Sequence, residues 1–84
     1  MDTEKTEKVL KELDSIFSET LSDLNVNLEL NTTAADVEGW DSLRHIELII
    51  NIETFYSIKF STKEIMSIEN IGSLVALINK KIEL

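Results

Sequence analysis

The residues that could do chemistry are few. Ser42 follows Asp41 in the stretch Gly39-Trp40-Asp41-Ser42-Leu43, and His45, the only histidine, stands three residues on. A serine nucleophile needs a base in reach, and helix positions i and i+3 are neighbours. The rest of a hydrolase setting is missing. No strand leads into the serine and no Gly-x-Ser-x-Gly frames it. A helical bundle of 84 residues also offers little pocket. His45 falls towards the core side of its helix and reads as a packing or solvated histidine. Metal chemistry fares no better. The chain has no cysteine and one histidine, and its carboxylates are dispersed. Asp23, Asn25 and Asn27 imitate the first ligands of a calcium loop, but Leu28 and Ala34 occupy the positions of its glycine and closing glutamate. Gly39 and Gly72 are the only glycines, so no glycine-rich phosphate loop exists.

What remains is the placement of Ser42 itself. Asp41 is a good N-cap, since its carboxylate can accept from N–H groups of the first turn. A capped helix start holds anions well, because free N–H groups and the positive end of the helix dipole meet there. An exposed serine at that point is suited to carry a phosphorylated attachment without activation by its own chain. The alternative is that Ser42 only helps to cap the helix.

Residues 3 to about 22 form an amphipathic helix, with Leu10, Leu13, Phe17, Leu21 and Leu24 on one face and Asp2 or Thr3 as its cap. Residues 23–40 form a long connection. Val26, Leu28 and Leu30 alternate with polar residues, yet no second strand exists to pair with them. The stretch therefore reads as an extended loop whose apolar side chains lie on the bundle. Thr33 to Val37 form a brief helical turn, and Gly39 permits a tight bend. The second helix spans 42 to about 56. Leu48, Ile49, Ile52, Phe55 and Tyr56 share its core face, while Leu43, Ile46 and Ile50 form a separate stripe beside Glu47 and Thr54. A helix apolar nearly all round is either buried or has a partner. So small a bundle cannot surround one helix, so the stripe reads as partner-facing. Ser61 and Glu64 form a capping box that opens a short third helix, ending near Met66 or Ser67. Asn70 caps a fourth, with Ile71, Leu74, Val75, Ile78 and Ile82 at helical spacing and Lys80 and Lys81 at its negative end. Gly72 weakens its first turn slightly. The predicted fold is all-α: a small four-helix bundle with three longer helices, a short third one and a long first loop, residues 1–84 forming one domain.

The charge limits the partners. Net charge is −8, and between Glu12 and Ile58 ten acids face a single base, Arg44. Such a field repels nucleic acid and anionic membranes and favours partners with basic docking patches. With no leader and no long apolar run, the expectation is a cytoplasmic soluble protein, monomeric by default.

Asp41-Ser42-Leu43 resembles the attachment motif of the acyl carrier protein family. The likeness extends through Val37-Glu38-Gly39-Trp40 before it and His45-Ile46-Glu47-Leu48-Ile49, Ile52-Glu53 and Tyr56 after it. It continues in Ile58, Phe60, Ile65, Ile68, Ile71 and Leu74, so that it spans essentially the whole chain. The resemblance implies a four-helix bundle that is a carrier and not an enzyme. It implies that a phosphopantetheinyl transferase moves 4′-phosphopantetheine from coenzyme A onto Ser42, flanked by Asp41 and Leu43, and that acyl groups ride on the arm as thioesters. It further implies a docking surface of Leu43, Arg44, Ile46, Glu47, Ile50 and Glu53 for acyl-loading and acyl-using enzymes. Two positions depart from the fatty-acid carriers, which have acids where this chain has Arg44 and Thr54. That departure points to a dedicated pathway. The interior near Ile52, Phe60 and Ile65 is the place where an acyl chain could shelter. Two other readings stay open: an aminoacyl or peptidyl carrier of the same fold, and a non-carrier acidic interaction module.

Overall fold

A computed structural model describes residues 3–22 and 26–82. Asp2, Asp23, Leu24 and Asn25, to which the sequence assigned capping, calcium-like or apolar-face roles, lie outside the described residues, and so does the side chain of Thr3. The helices are α1 (Thr3–Leu21), α2 (Ser42–Tyr56), α3 (Thr62–Met66) and α4 (Ile71–Ile82), with a 3-10 turn at Ala34–Asp36. No strand is present among the described residues. The all-α bundle expected from periodicity is the fold observed.

α1 packs against both α2 and α4. Its Val9, Leu13, Ile16 and Phe17 meet Leu48, Ile49 and Ile52 of α2 and Ile71, Leu74, Val75 and Ile78 of α4 in one buried cluster. Polar bonds sit at the margins of this core. Asn51 Nδ2 donates to Thr20 Oγ1 at 2.7 Å, and the Tyr56 hydroxyl donates to Glu12 Oε1 at 2.6 Å. Burial, followed by this bond to Glu12, pushes the Tyr56 phenol above its ordinary 10.0.

The helix ends follow the local chemistry. Ser61 Oγ accepts from Glu64 N at 3.1 Å, and Ser61 N donates to Glu64 Oε1 at 2.8 Å, completing the capping box. Lys81 Nζ reaches the same Glu64 oxygen at 3.0 Å, which ties α3 to the end of α4. Hydrogen bonds from Ser61 and Lys81 lower the pKa of Glu64. Asn70 Oδ1 accepts from Ser73 N at 2.8 Å and so caps α4.

The long loop is docked by its backbone more than by its side chains. Leu28 is buried, and its N–H donates to Asp14 Oδ1 of α1 at 3.0 Å. Val26 is half-buried, but Leu30 is exposed, which corrects the expectation that all three apolar side chains lie on the bundle. The Leu30 carbonyl explains why. It turns inward to accept from Gly72 N at 2.6 Å, while Thr32 O accepts from Ile71 N at 2.9 Å. Gly72 is thus more than a weak helix former. A Cβ there would sit 2.9 Å from Leu30 O and 3.3 Å from Asn70 Oδ1, so the close approach of loop to helix needs glycine.

Phe55 is the other correction. It was expected in the core, yet it is 54% exposed. It lines an open cleft between the start of α1 and the end of α4, shared with Lys5, Lys8 and Ile82.

Candidate functional site

The site is built on the turn that enters α2. Gly39 adopts φ 89°, a left-handed conformation that favours glycine, and no atom crowds the place of its absent Cβ. The requirement is conformational, not spatial. The chain then closes on itself through Trp40 N to Val37 O (3.2 Å) and Asp41 N to Gly39 O (3.1 Å). Before it, Thr33 N donates to Asp36 Oδ2 at 3.0 Å and Asp36 N to Thr33 O at 2.9 Å, which stiffens the 3-10 turn.

Trp40 anchors the turn. It is buried, and its ring meets Phe17 of α1 edge-on at 5.0 Å. Its Nε1–H donates to His45 Nδ1 at 3.1 Å, one turn into α2. The sequence reading gave Trp40 only as part of a motif. Its anchoring role depends on Phe17, a residue far away along the chain, and no local pattern announces it.

Asp41 caps α2 as expected. Its Oδ1 accepts from Arg44 N at 2.9 Å, and its carbonyl accepts from His45 N at 2.8 Å. Ser42 is the first residue of α2 and is exposed. It faces a shallow cleft of about 440 Å³ lined by Ala34, Trp40, Asp41, Ser42, His45 and Ile46.

His45 lies beside Ser42 but is not placed to activate it. An indole N–H can only donate, so His45 Nδ1 is the acceptor and the neutral ring carries its proton on Nε2. No lone pair is left to take the Ser42 proton. Serine hydrolase chemistry is thereby removed on geometric grounds. Among the described residues, no group of three or more His, Cys, Asp or Glu could hold a metal ion. No helix among them is long and apolar enough to cross a membrane.

The stripe next to the site is open. Leu43 is 68% exposed, and Ile46 and Ile50 are each more than half exposed. Arg44 Nη1 pairs with Glu47 Oε1 at 2.6 Å within the stripe, and that bond raises the guanidinium pKa from its ordinary value. The positive charge at Arg44 is thus matched inside the helix surface. Glu53 is differently engaged: its Oε2 accepts from Phe60 N at 2.8 Å, which fastens the link after α2. Met66 of α3, 80% exposed, is a large apolar side chain that sequence reasoning did not single out. At the end of a five-residue helix, no periodicity could assign it a face.

A solution NMR structure of holo acyl carrier protein from Geobacter metallireducens superposes on this chain with a TM-score of 0.84 and 36% sequence identity. The match covers 99% of this chain and 88% of that one. The chain belongs to the acyl carrier protein family. No family model and no curated protein sequence matches it. As an acyl carrier protein it has a carrier's role, not an enzyme's. Of the three residues expected to shelter cargo, Ile52 is fully buried and Phe60 nearly so, while Ile65 is half-buried against the core.

Proposed function

We propose that Ser42 is the attachment point of a covalent 4′-phosphopantetheine arm and that the protein is a stand-alone acyl shuttle of a dedicated biosynthetic pathway. The observation that carries this reading is an exposed serine at the capped first turn of α2, in a chain 36% identical to a holo acyl carrier protein. The donor set fits. Asp41 turns its carboxylate to Arg44 N, and free N–H groups of the first turn stand where an anion on Ser42 Oγ would sit.

In loading, Ser42 Oγ forms the new P–O bond, the phosphoanhydride of coenzyme A breaks and adenosine 3′,5′-bisphosphate leaves. The hydroxyl proton goes to a base on the phosphopantetheinyl transferase, since His45 has no lone pair for it. The attached arm supplies a thiol that holds an acyl group as a thioester. The rest of the work falls to the surface of α2. Leu43, Ile46 and Ile50 offer apolar contact, and Glu47 offers charge to acyl-loading and acyl-using enzymes with basic patches. Glu53 contributes charge at the edge of that surface while holding Phe60 N. Arg44 reduces the acidity of the face, which supports partners other than fatty-acid synthase enzymes.

Intact-protein mass before and after incubation with coenzyme A and a broad-specificity phosphopantetheinyl transferase tests the reading. A gain of one phosphopantetheine, absent in Ser42→Ala, is the expected result. No gain with two different transferases on protein shown to be apo would overturn it. Turnover by a fatty-acid ketosynthase as fast as with that enzyme's own carrier would overturn the dedicated-pathway part alone.

A further inference from the structure

The end of α2 remote from Ser42 carries a second cleft, about 20 Å along the helix from the serine. Its volume is about 300 Å³, the lower end of the range for small-ligand pockets. Three helices meet there: the start of α1 and the ends of α2 and α4. The sides are apolar. Val9 is buried, Phe55 and Ile82 are exposed, and the Tyr56 ring stands edge-on to Phe55 with centroids 4.8 Å apart. The polar groups differ in how far they are engaged. Glu12 is committed, since its Oε1 accepts from the Tyr56 hydroxyl at 2.6 Å. Asn79 is not. Its Oδ1 is sealed without a partner, so the amide can meet an entering group only through Nδ2, a donor with no hydrogen-bond partner among the described residues. Lys8 is exposed and forms no ion pair among them, and Lys5 stands one turn earlier on the same side of α1. In a chain of net charge −8, the cleft thus offers donors and positive charge over apolar walls.

We propose that this cleft binds a small carboxylic acid with an apolar body, non-covalently and apart from Ser42. The carboxylate accepts from Asn79 Nδ2, the flexible Lys8 side chain brings its ammonium to it, and Lys5 adds positive charge at the mouth. The hydrocarbon lies between Phe55 and Ile82 over Val9. Other amphiphiles fit less well. An amine meets lysines at the mouth and a Glu12 already bonded to Tyr56. A neutral body leaves Lys8 unmatched. The volume suits one ring or a short chain and not a docked helix, which is about 10 Å across. Repulsion keeps the anion on the lysine side, away from Glu12. A single exposed lysine–carboxylate contact is weak, so the apolar walls supply much of the affinity, and binding falls in roughly the millimolar range. The site is distinct from the attachment point, and the proposal does not rest on the carrier reading.

Titration of the protein with phenylpropionate, followed by amide-correlation NMR, tests this. Saturable shifts are expected at the Asn79 side-chain amide and at the Phe55 and Ile82 backbone amides, with Ser42 unmoved. Three companion probes divide the contributions. Phenylpropanamide, with the same body and no charge, should bind several-fold more weakly. Acetate, with the charge and no body, should not saturate, and phenylpropylamine should not bind. Lys8→Gln should weaken phenylpropionate binding by up to about fivefold, the worth of one surface ion pair. Phe55→Ala should weaken it further. Both residues are exposed, so circular dichroism should stay unchanged in both variants. Ser42→Ala should bind as the parent does. No saturable shift up to about 20 mM overturns the proposal. Equal binding of the amide also overturns it, because the cleft is then an apolar groove without an anion site. Shifts at these residues that grow with protein concentration and need no probe mean that a second copy covers the cleft, and they overturn it as well. None of these outcomes alters the mass test for the arm.

Discussion

α2 and α4 are the two most apolar helices of the molecule, and they place their side chains in opposite ways. α4 buries Ile71, Leu74, Val75 and Ile78 against α1, and of its large apolar residues only Ile82 at the end is exposed. α2 buries Leu48, Ile49 and Ile52 and leaves Leu43, Ile46, Ile50 and Phe55 more than half in water. Each of those four keeps apolar area exposed that would contribute roughly 25 cal/mol per Å² once a partner covered it. One helix completes the fold, and the other leaves an apolar stripe open to solvent. In a bundle of this size no third layer exists to cover a second face.

The comparison can be broken at its extremes. Ile78→Ala on α4 is expected to cost about 2–5 kcal/mol, because a fully buried side chain leaves a cavity, yet the folded fraction should still accept the arm. Urea titration and intact mass of one sample check both halves. Gly72→Ala comes next, at about 1–3 kcal/mol by overpacking, since the added Cβ meets a backbone carbonyl that cannot swing aside. A neutral result would mean that the loop shifts away from α4 easily. Ile50→Ala is the counterpart on α2. Stability should stay within about 0.5 kcal/mol of the parent, while partner enzymes lose efficiency. A larger loss of stability would move Ile50 from the shared face to the core.

The smallest effect concerns the far end of α2. The Tyr56 phenol has its folded pKa raised, first by burial and then by Glu12, above the ordinary 10.0. The folded state thus keeps the proton that the unfolded state loses. Its contribution is complete below pH 10.0 and is lost as pH rises beyond it. Thermal melts in alkaline buffer should show this decline, and Tyr56→Phe should flatten it.

The parts legible in the sequence are those whose chemistry is local. Asp41 caps a helix that starts at the next residue, and Ser61 and Glu64 bond each other three positions apart. The α4 stripe also needs only periodicity. Phe55 shows where periodicity stops. A 3.6-residue period gives the angle around a helix axis, not how closely the neighbouring helices approach it, and at Phe55 α1 and α4 leave an open cleft. Trp40 and Gly72 show the other limit. Each has its reason in a distant partner: Phe17 for the indole, and the Leu30 carbonyl for the missing Cβ. The candidate site was legible at Ser42 and Asp41 and illegible in the Trp40–His45 bond, whose indole is turned towards His45 by its packing on α1.

The two hydrogen bonds from Ile71 and Gly72 to the loop have a kinetic meaning. First-turn N–H groups of a helix lack intrahelical partners. In α4 two of them are closed by main-chain carbonyls from about 40 positions earlier, so the loop acts as a cap lent from outside the helix. Closing so long a segment carries a loop-closure entropy that these bonds and the burial of Leu28 must offset. Release of the loop from α4 would leave these two N–H groups without protein partners while the helix itself stays formed. Amide exchange at Ile71 and Gly72 reads that opening directly. Because the same loop ends at Trp40, a molecule that releases it at α4 loosens one end of the segment on which Ser42 is presented.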